Sequence, residues 1–219
     1  GSTQENYPDH AGSLNTSKWG GTIHDHYPQF GKDEFAGAAN QPALIDKLIA
    51  GGHELSIHSF RHVLFGPNKV VYGSRHHFKT LGEVAGDLRQ LHELIESTHH
   101  YVMTFSRPPH YIDKIPDGYS SYDAYALLGY DYLAAGFDGG GWLPSTGDYQ
   151  ADIRKMTEPL EKVLKANPDA MNGQIIFQKD GYNMSLMTPI GHALEEHLKL
   201  LGDSGYRVVS AGELKRLSP

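Results

Sequence analysis

The sequence predicts an α/β protein, a distorted or incomplete parallel (β/α) barrel built as one domain over residues 1–219. Short apolar runs of β-like composition alternate with segments of helical periodicity, the pattern of βα units. No G-x-G-x-x-G and no phosphate-binding Gly-Lys-Ser follows any of those runs, which disfavours an open doubly wound dinucleotide sheet. A chain of 219 residues with 39% hydrophobic content can also bury a core of its own.

The elements follow in order. Residues 1–21 read as an irregular segment that lacks an opening strand. Gly1-Ser2 has the look of a tag remnant, so a signal or anchor is expected to have been removed ahead of it. "WGGTIHDHYP" holds a β-like core at Thr22 and Ile23. In "QPALIDKLIAGGH" Pro42 opens a helix, Leu44, Ile45, Leu48 and Ile49 form its apolar stripe, and Gly51-Gly52 stops it. "HELSIHS" is a strand; "TLGEVAGDLRQLHELIEST" spaces Leu81, Val84, Leu88, Leu91 and Ile95 as a helix does, with Thr80 as N-cap. The strand "YVMTFSRPP", the helix "SYDAYALLG" and the strand "YLAAGFD" come next. "DIRKMTEPLEKVLKAN" is a helix interrupted or restarted near Pro159. "GQIIFQKDG" is a buried strand, "TPIGHALEEHLKLLGDSG" a helix ending in a glycine turn, and "YRVVSAGEL" a last strand.

Composition narrows the function. The formal charge of -7, from 26 acidic and 19 basic residues with no basic run, argues against nucleic acid or an anionic membrane as partner and favours a neutral ligand. With no cysteine, disulfides, thiolate nucleophiles and Cys-ligated zinc are all excluded. No apolar run reaches membrane-spanning length and no signal peptide is visible. The 14 histidines are compatible with metal or acid/base chemistry, although most are expected at the surface or in hydrogen bonds.

In a barrel or an open sheet, chemistry sits just beyond the C-terminal strand ends. His58 and His62 leave "ELSIHS" there, and a four-residue step on a helical turn puts two imidazoles on one face, able to share a metal. His76-His77 and His99-His100 lack that placement and read as solvated or structural. In "FSRPPHY", Arg107 leaves a strand into two prolines that fix the backbone; a rigid turn with a solvated arginine is the plain alternative. "AGFDGGGW" ends a strand at Asp138, has glycines that let backbone approach a ligand, and offers Trp142 as a sugar-stacking wall or, equally, as a core residue. "IIFQKDGYN" delivers Gln178, Lys179 and Asp180 to a loop, or makes a surface turn there.

Together these stretches resemble the polysaccharide deacetylase family, the nodulation-deacetylase homology domain of carbohydrate esterase family four, from about Ala39 to Leu214. "NQPALIDKLIAGGHELSIHSFRH" is similar to its helix, Gly-His-Glu strand and H-[ST]-x-x-H motif. "FSRPPHY" is similar to R-P-P-Y, "AGFDGGGW" to the motif ending in Trp, and "GQIIFQKDG" to the strand ending in Leu-His-Asp. "LGDSGYRVVSAGEL" matches the closing helix and strand. The resemblance implies a distorted (β/α) barrel and a divalent metal, zinc by preference, held by one Asp and two His at His58 and His62. It further implies an Asp base, an oxyanion held by metal and backbone amide, and a His that protonates the leaving amine or alcohol.

The sequence departs from that pattern at definite places. The family's T-F-D-D-G, source of the base and the Asp ligand, is absent. An alignment on "STQENYPDHAGSL" puts Gln4 and Glu5 on those positions, whereas "GTIHDHYP" offers Asp25 between His24 and His26; Asp9 is a third candidate. The acid His falls on Lys179, with His192 and His110 as possible spatial substitutes. The oxyanion amide falls on His110, and Gly141 replaces the Asp before Trp142, leaving Asp138. The expectation is a metal-dependent deacetylase of an N- or O-acetylated polysaccharide. It uses His58, His62 and Asp25 as ligands, Arg107, His110, Asp138 and Lys179 in catalysis, and Tyr111 and Trp142 against the sugar. It is expected to be monomeric and secreted or at the cell surface. The alternative is a non-catalytic glycan-binding relative or fragment.

Overall fold

The computed structural model describes residues 38–68, 77–179, 188 and 190–218. The expected strand at Thr22-Ile23 and the candidate carboxylates Glu5, Asp9 and Asp25 lie outside the described residues. The chain divides into two compact units after Leu133.

In the first unit Pro42 occupies the first turn of α1 (Pro42–Ala50), where its missing N–H costs nothing, and Gly51 caps the end. α2 (Leu81–His99) opens on a full capping box: the Thr80 hydroxyl accepts from the Glu83 amide and the Glu83 carboxylate accepts from the Thr80 amide. β1 (Phe105–Ser106) lies parallel to β2 (Asp131–Tyr132), with α3 (Ser121–Leu128) between them in sequence and a second capping box at Ser120 and Asp123. On its other edge β1 takes Ile57: the Ile57 amide donates to Phe105 O at 2.8 Å and the Arg107 amide to Ile57 O at 3.1 Å. The core gathers Ile57, Val63, Phe65 and Phe78 with Val84, Leu88, Leu91 and Ile95 of α2 and Tyr125 of α3. Each large side chain so buried contributes about 1.5–3 kcal/mol.

In the second unit β3 (Phe137–Asp138) pairs in parallel with β4 (Ile176–Phe177). α4 (Tyr149–Ala166) and α5 (Ile190–Asp203) bury Leu160, Leu164 and Leu201 in one cluster and Met156, Ile190 and Ala193 in another. α6 (Ala211–Leu217) follows.

Four expectations change. The strand at "HELSIHS" is one bridge at Ile57, because the Leu55 amide is taken by the Tyr101 hydroxyl at 3.2 Å and the chain turns after His58. "YLAAGFD" is two strands, β2 and β3, with different partners. α4 runs unbroken through Pro159 and starts earlier, at the Asp148 cap; its buried stripe of Asp152, Met156, Leu160 and Leu164 spans the proline, which lies on the exposed side. "YRVVSAGEL" ends in a helix: Val208 is exposed, and Ser210 caps α6 by accepting from the Glu213 amide. The result is an α/β fold with parallel strand pairs, and the described strands do not by themselves trace a closed barrel. None of the described helices is long and apolar enough to cross a membrane.

Candidate functional site

The His58 and His62 rings meet with Nε2 atoms 3.1 Å apart. No helix does this, contrary to the helical-turn expectation: residues 58–62 form an irregular turn closed by the His62 amide donating to Ser59 Oγ at 2.7 Å, with His62 left-handed at φ 58°. His58 Nδ1 lies 2.9 Å from the carbonyl of Arg107. A carbonyl only accepts, so Nδ1 carries the proton and Nε2 keeps its lone pair. Burial, with the Arg107 charge nearby, holds the His58 pKa well below the ordinary imidazole value, so this ring stays neutral. The order of β1 creates the arrangement: the bridge from Ile57 to Ser106 sets His58 beside Arg107.

After Arg107, Pro108 and Pro109 are buried, and the Tyr111 amide turns back to Pro108 O at 3.1 Å. His110 and Tyr111 are both left-handed, at φ 54° and 56°. Non-glycine residues in that region cost roughly 1–3 kcal/mol each and persist where surrounding structure imposes them, so strain is concentrated around the histidine pair. The His110 ring stands edge-on to His62 at 5.5 Å, and the Arg107 guanidinium lies 5.1 Å over the Tyr111 ring. The structure therefore brings His58, His62, Arg107, His110 and Tyr111 together. Asp25 lies outside the described residues, among which no three His, Cys, Asp or Glu side chains form a metal-holding group. His99 pairs with Asp46 at 2.6 Å and His100 caps α2, in keeping with structural roles.

In the second unit Asp138 accepts from the Gly140 amide and from Trp142 Nε1, both at 2.8 Å. Trp142 is 51% exposed, which rules out a core tryptophan. Packing requires glycine at two of the positions before it: a Cβ on Gly139 would lie 2.3 Å from the Gln178 amide and one on Gly141 2.7 Å from Ile190. Gln178 contacts Nδ1 of the buried His197 at 2.6 Å, whose Nε2 donates to Met156 O. Lys179 is half-buried; Asp180 lies outside the described residues. His192 is an exposed residue bonded to the Tyr149 hydroxyl at 2.6 Å.

No protein-family model matches the sequence, and no curated protein matches it. Solved structures do. The chitin deacetylase of the fungal pathogen Colletotrichum lindemuthianum superposes with a TM-score of 0.57 at 18% identity over 82% of this chain and 70% of that one. The peptidoglycan deacetylase PdaC of Bacillus subtilis gives 0.52 at 19% identity over 82% and 71%. A family 4 acetyl xylan esterase from Clostridium thermocellum, in complex with a cobalt ion, gives 0.51 at 16% identity over 81% and 71%. The chain shares the fold of the family 4 carbohydrate esterases.

Within this esterase fold the histidine pair passes a simple test of fit to a cation. Two imidazole nitrogens each about 2.0–2.1 Å from a tetrahedral zinc stand about 3.3 Å apart. The observed separation is 3.1 Å, and the Nδ1 contact to a carbonyl is the outer bond that metal-bound histidines typically make. Sequence reasoning missed two residues that shape the pair. Ser59, inside the motif, is fully buried and closes the turn. Asp87 of α2, 2% exposed, accepts from the Phe60 amide at 2.8 Å and from Arg61 Nε at 3.0 Å. Its only signal in sequence is a carboxylate one residue before Leu88 on an otherwise apolar face.

Proposed function

We propose that this chain is a metal-dependent deacetylase removing acetyl groups from an N- or O-acetylated polysaccharide, with His58 and His62 binding a divalent cation, zinc by preference. The observation that carries the reading is the convergence of the two Nε2 atoms, with His58 fixed in the ligating tautomer by the Arg107 carbonyl. The shared fold supports it, since its solved examples include deacetylases of chitin and peptidoglycan and an acetyl xylan esterase. In this reading Asp25 is the third ligand, with Glu5 and Asp9 as alternatives, and the chain forms one distorted or incomplete barrel domain, monomeric and secreted or held at the cell surface. A bound cation would polarise the acetyl carbonyl and acidify water. The chain's own groups do the rest. The His110 amide donates to the developing oxyanion, and Arg107 holds Tyr111 as a wall for the sugar. Asp138 and Lys179 carry the remaining acid/base roles, with Lys179 giving the proton to the leaving amine or alcohol, and Trp142 stacks on a sugar ring.

The test is metal analysis of the purified protein together with acetate release from acetylated chitin oligomers and acetylated xylan. One zinc per chain, with acetate release that falls to background in the His58→Ala, His62→Ala double variant, is the expected result. A wild-type chain that takes up no divalent metal would sink it. The second reading, a glycan-binding relative without catalysis, is favoured by one observation: the Asp138 carboxylate is already engaged by Trp142 and Gly140. Stoichiometric zinc without acetate release from either substrate would select that reading.

A further inference from the structure

We propose that Asp87 is a positioning residue for the histidine pair, a buried carboxylate whose two oxygens staple the turn between His58 and His62 onto α2. The inference rests on the reading of those histidines as ligands, but its geometry stands apart from any metal. Asp87 lies on the face of α2 that buries Val84, Leu88, Leu91 and Ile95, where an apolar side chain would serve the core. A carboxylate is costly there, since burial raises its pKa against the hydrogen bonds that hold it charged. Its donors come from two successive residues of the turn: Oδ2 accepts from the Phe60 amide and Oδ1 from Arg61 Nε. The Arg61 guanidinium also lies 5.4 Å over the Phe78 ring, so the residue preceding His62 is gripped from two sides.

The consequence falls on His62. Its left-handed backbone is uphill for an L residue and must be imposed from outside. Within the turn, the Ser59 hydroxyl supplies one restraint by accepting the His62 amide. From outside it, Asp87 fixes residues 60 and 61, and with them the direction in which His62 enters. Without that staple the turn relaxes toward right-handed or extended backbone, and the His62 ring swings away from His58. Asp87 thus acts through the loop, by its bonds to residues 60 and 61.

The experiment compares the wild type with Asp87→Leu, which fills the same position on α2 with an apolar group, and reads two quantities. In the metal-free protein, an NOE between carbon-bound ring protons of His58 and His62 reports the pair itself. In titrations, competition with a chelator reports zinc affinity. The expected result is a folded Asp87→Leu that has lost the inter-ring NOE and binds zinc about 10- to 100-fold more weakly, the usual loss when an outer partner of a ligand is removed. A folded Asp87→Leu that keeps both the NOE and zinc affinity within twofold overturns the proposal. Should Asp87→Leu not fold, Asp87→Asn decides: it keeps the shape of the side chain but removes its charge and one of its two acceptor oxygens, so an unchanged NOE and affinity there overturn the proposal as well. If the wild type shows the NOE but binds no zinc, the metal reading fails, while loss of the NOE in the variant still establishes Asp87 as the positioning group.

Discussion

Asp152 accepts hydrogen bonds from Ser145 Oγ, from the amide and hydroxyl of Thr146 and from the buried Thr188 hydroxyl, at 2.6–2.8 Å. Burial alone would raise its pKa, but these bonds outweigh burial and hold the carboxyl group well below the usual carboxylate range. A folded-state pKa depressed below the unfolded value of about 3.9 stabilises the protein fully above about pH 4, and that stabilisation is lost as pH falls through the folded value. Denaturant midpoints of the wild type should therefore drop as pH is lowered below about 4. Asp152→Asn should flatten that limb and cost about 1–3 kcal/mol at pH 7, because it turns an acceptor of hydroxyls toward them as a donor. Parallel pH profiles for the two proteins would show that Asp152 contributes no such linkage. At this scale the sequence was unevenly legible. The His58 and His62 spacing stood out through its place at a strand end, even though a turn and not a helix brings the rings together. Asp87 and Asp152 were illegible for a shared reason. A carboxylate inside a helical stripe reads as a solvated interruption until its donors are known, and those of Asp87 lie 26 and 27 residues away.

Helix ends were the best specified elements. Thr80 with Glu83 and Ser120 with Asp123 satisfy amides that would otherwise lack helical partners, through side chains three residues apart. Such signals are local and can be read directly. "SAGE" at Ser210 carries the same spacing, but the neighbouring β-branched Val208 and Val209 drew the reading toward a strand. Strands were over-read for the converse reason: their pairing is non-local, and at Leu55 a tyrosine hydroxyl diverts the ladder. α4 offers a direct test. Pro159 lies on its exposed side and removes the bond that residue 159 would give to the carbonyl of residue 155. A proline in a helix interior costs about 3 kcal/mol relative to alanine, while its stiffening of the unfolded chain returns about 0.4–1 kcal/mol. Pro159→Ala should then raise stability by about 2–3 kcal/mol in chemical denaturation. A less stable variant would show that Leu160 and Leu164 need the proline's distortion to reach their cluster.

For the whole molecule, what is shared with the solved structures at 16–19% identity is the fold, and no family model matches the sequence itself. Such a likeness shows the fold but not which side chains stand at its strand ends. The histidine pair also connects the candidate site to global stability. His58 is carried by the backbone bridge between Ile57 and β1, and Ile57 is part of the same core as α2 and Tyr125. A cation that binds the folded chain alone must stabilise it by mass action, by about 2.7 kcal/mol at a hundredfold excess over Kd. For a protein of this size that corresponds to a rise in Tm of roughly 5–10 °C. Zinc should produce that rise in the wild type and none in the His58→Ala, His62→Ala variant, and hydrogen exchange should slow at the Ile57 and Arg107 amides, which carry the bridge. A zinc-induced rise of equal size in the double variant would place the binding elsewhere among the 14 histidines of the chain and separate it from the site proposed for catalysis.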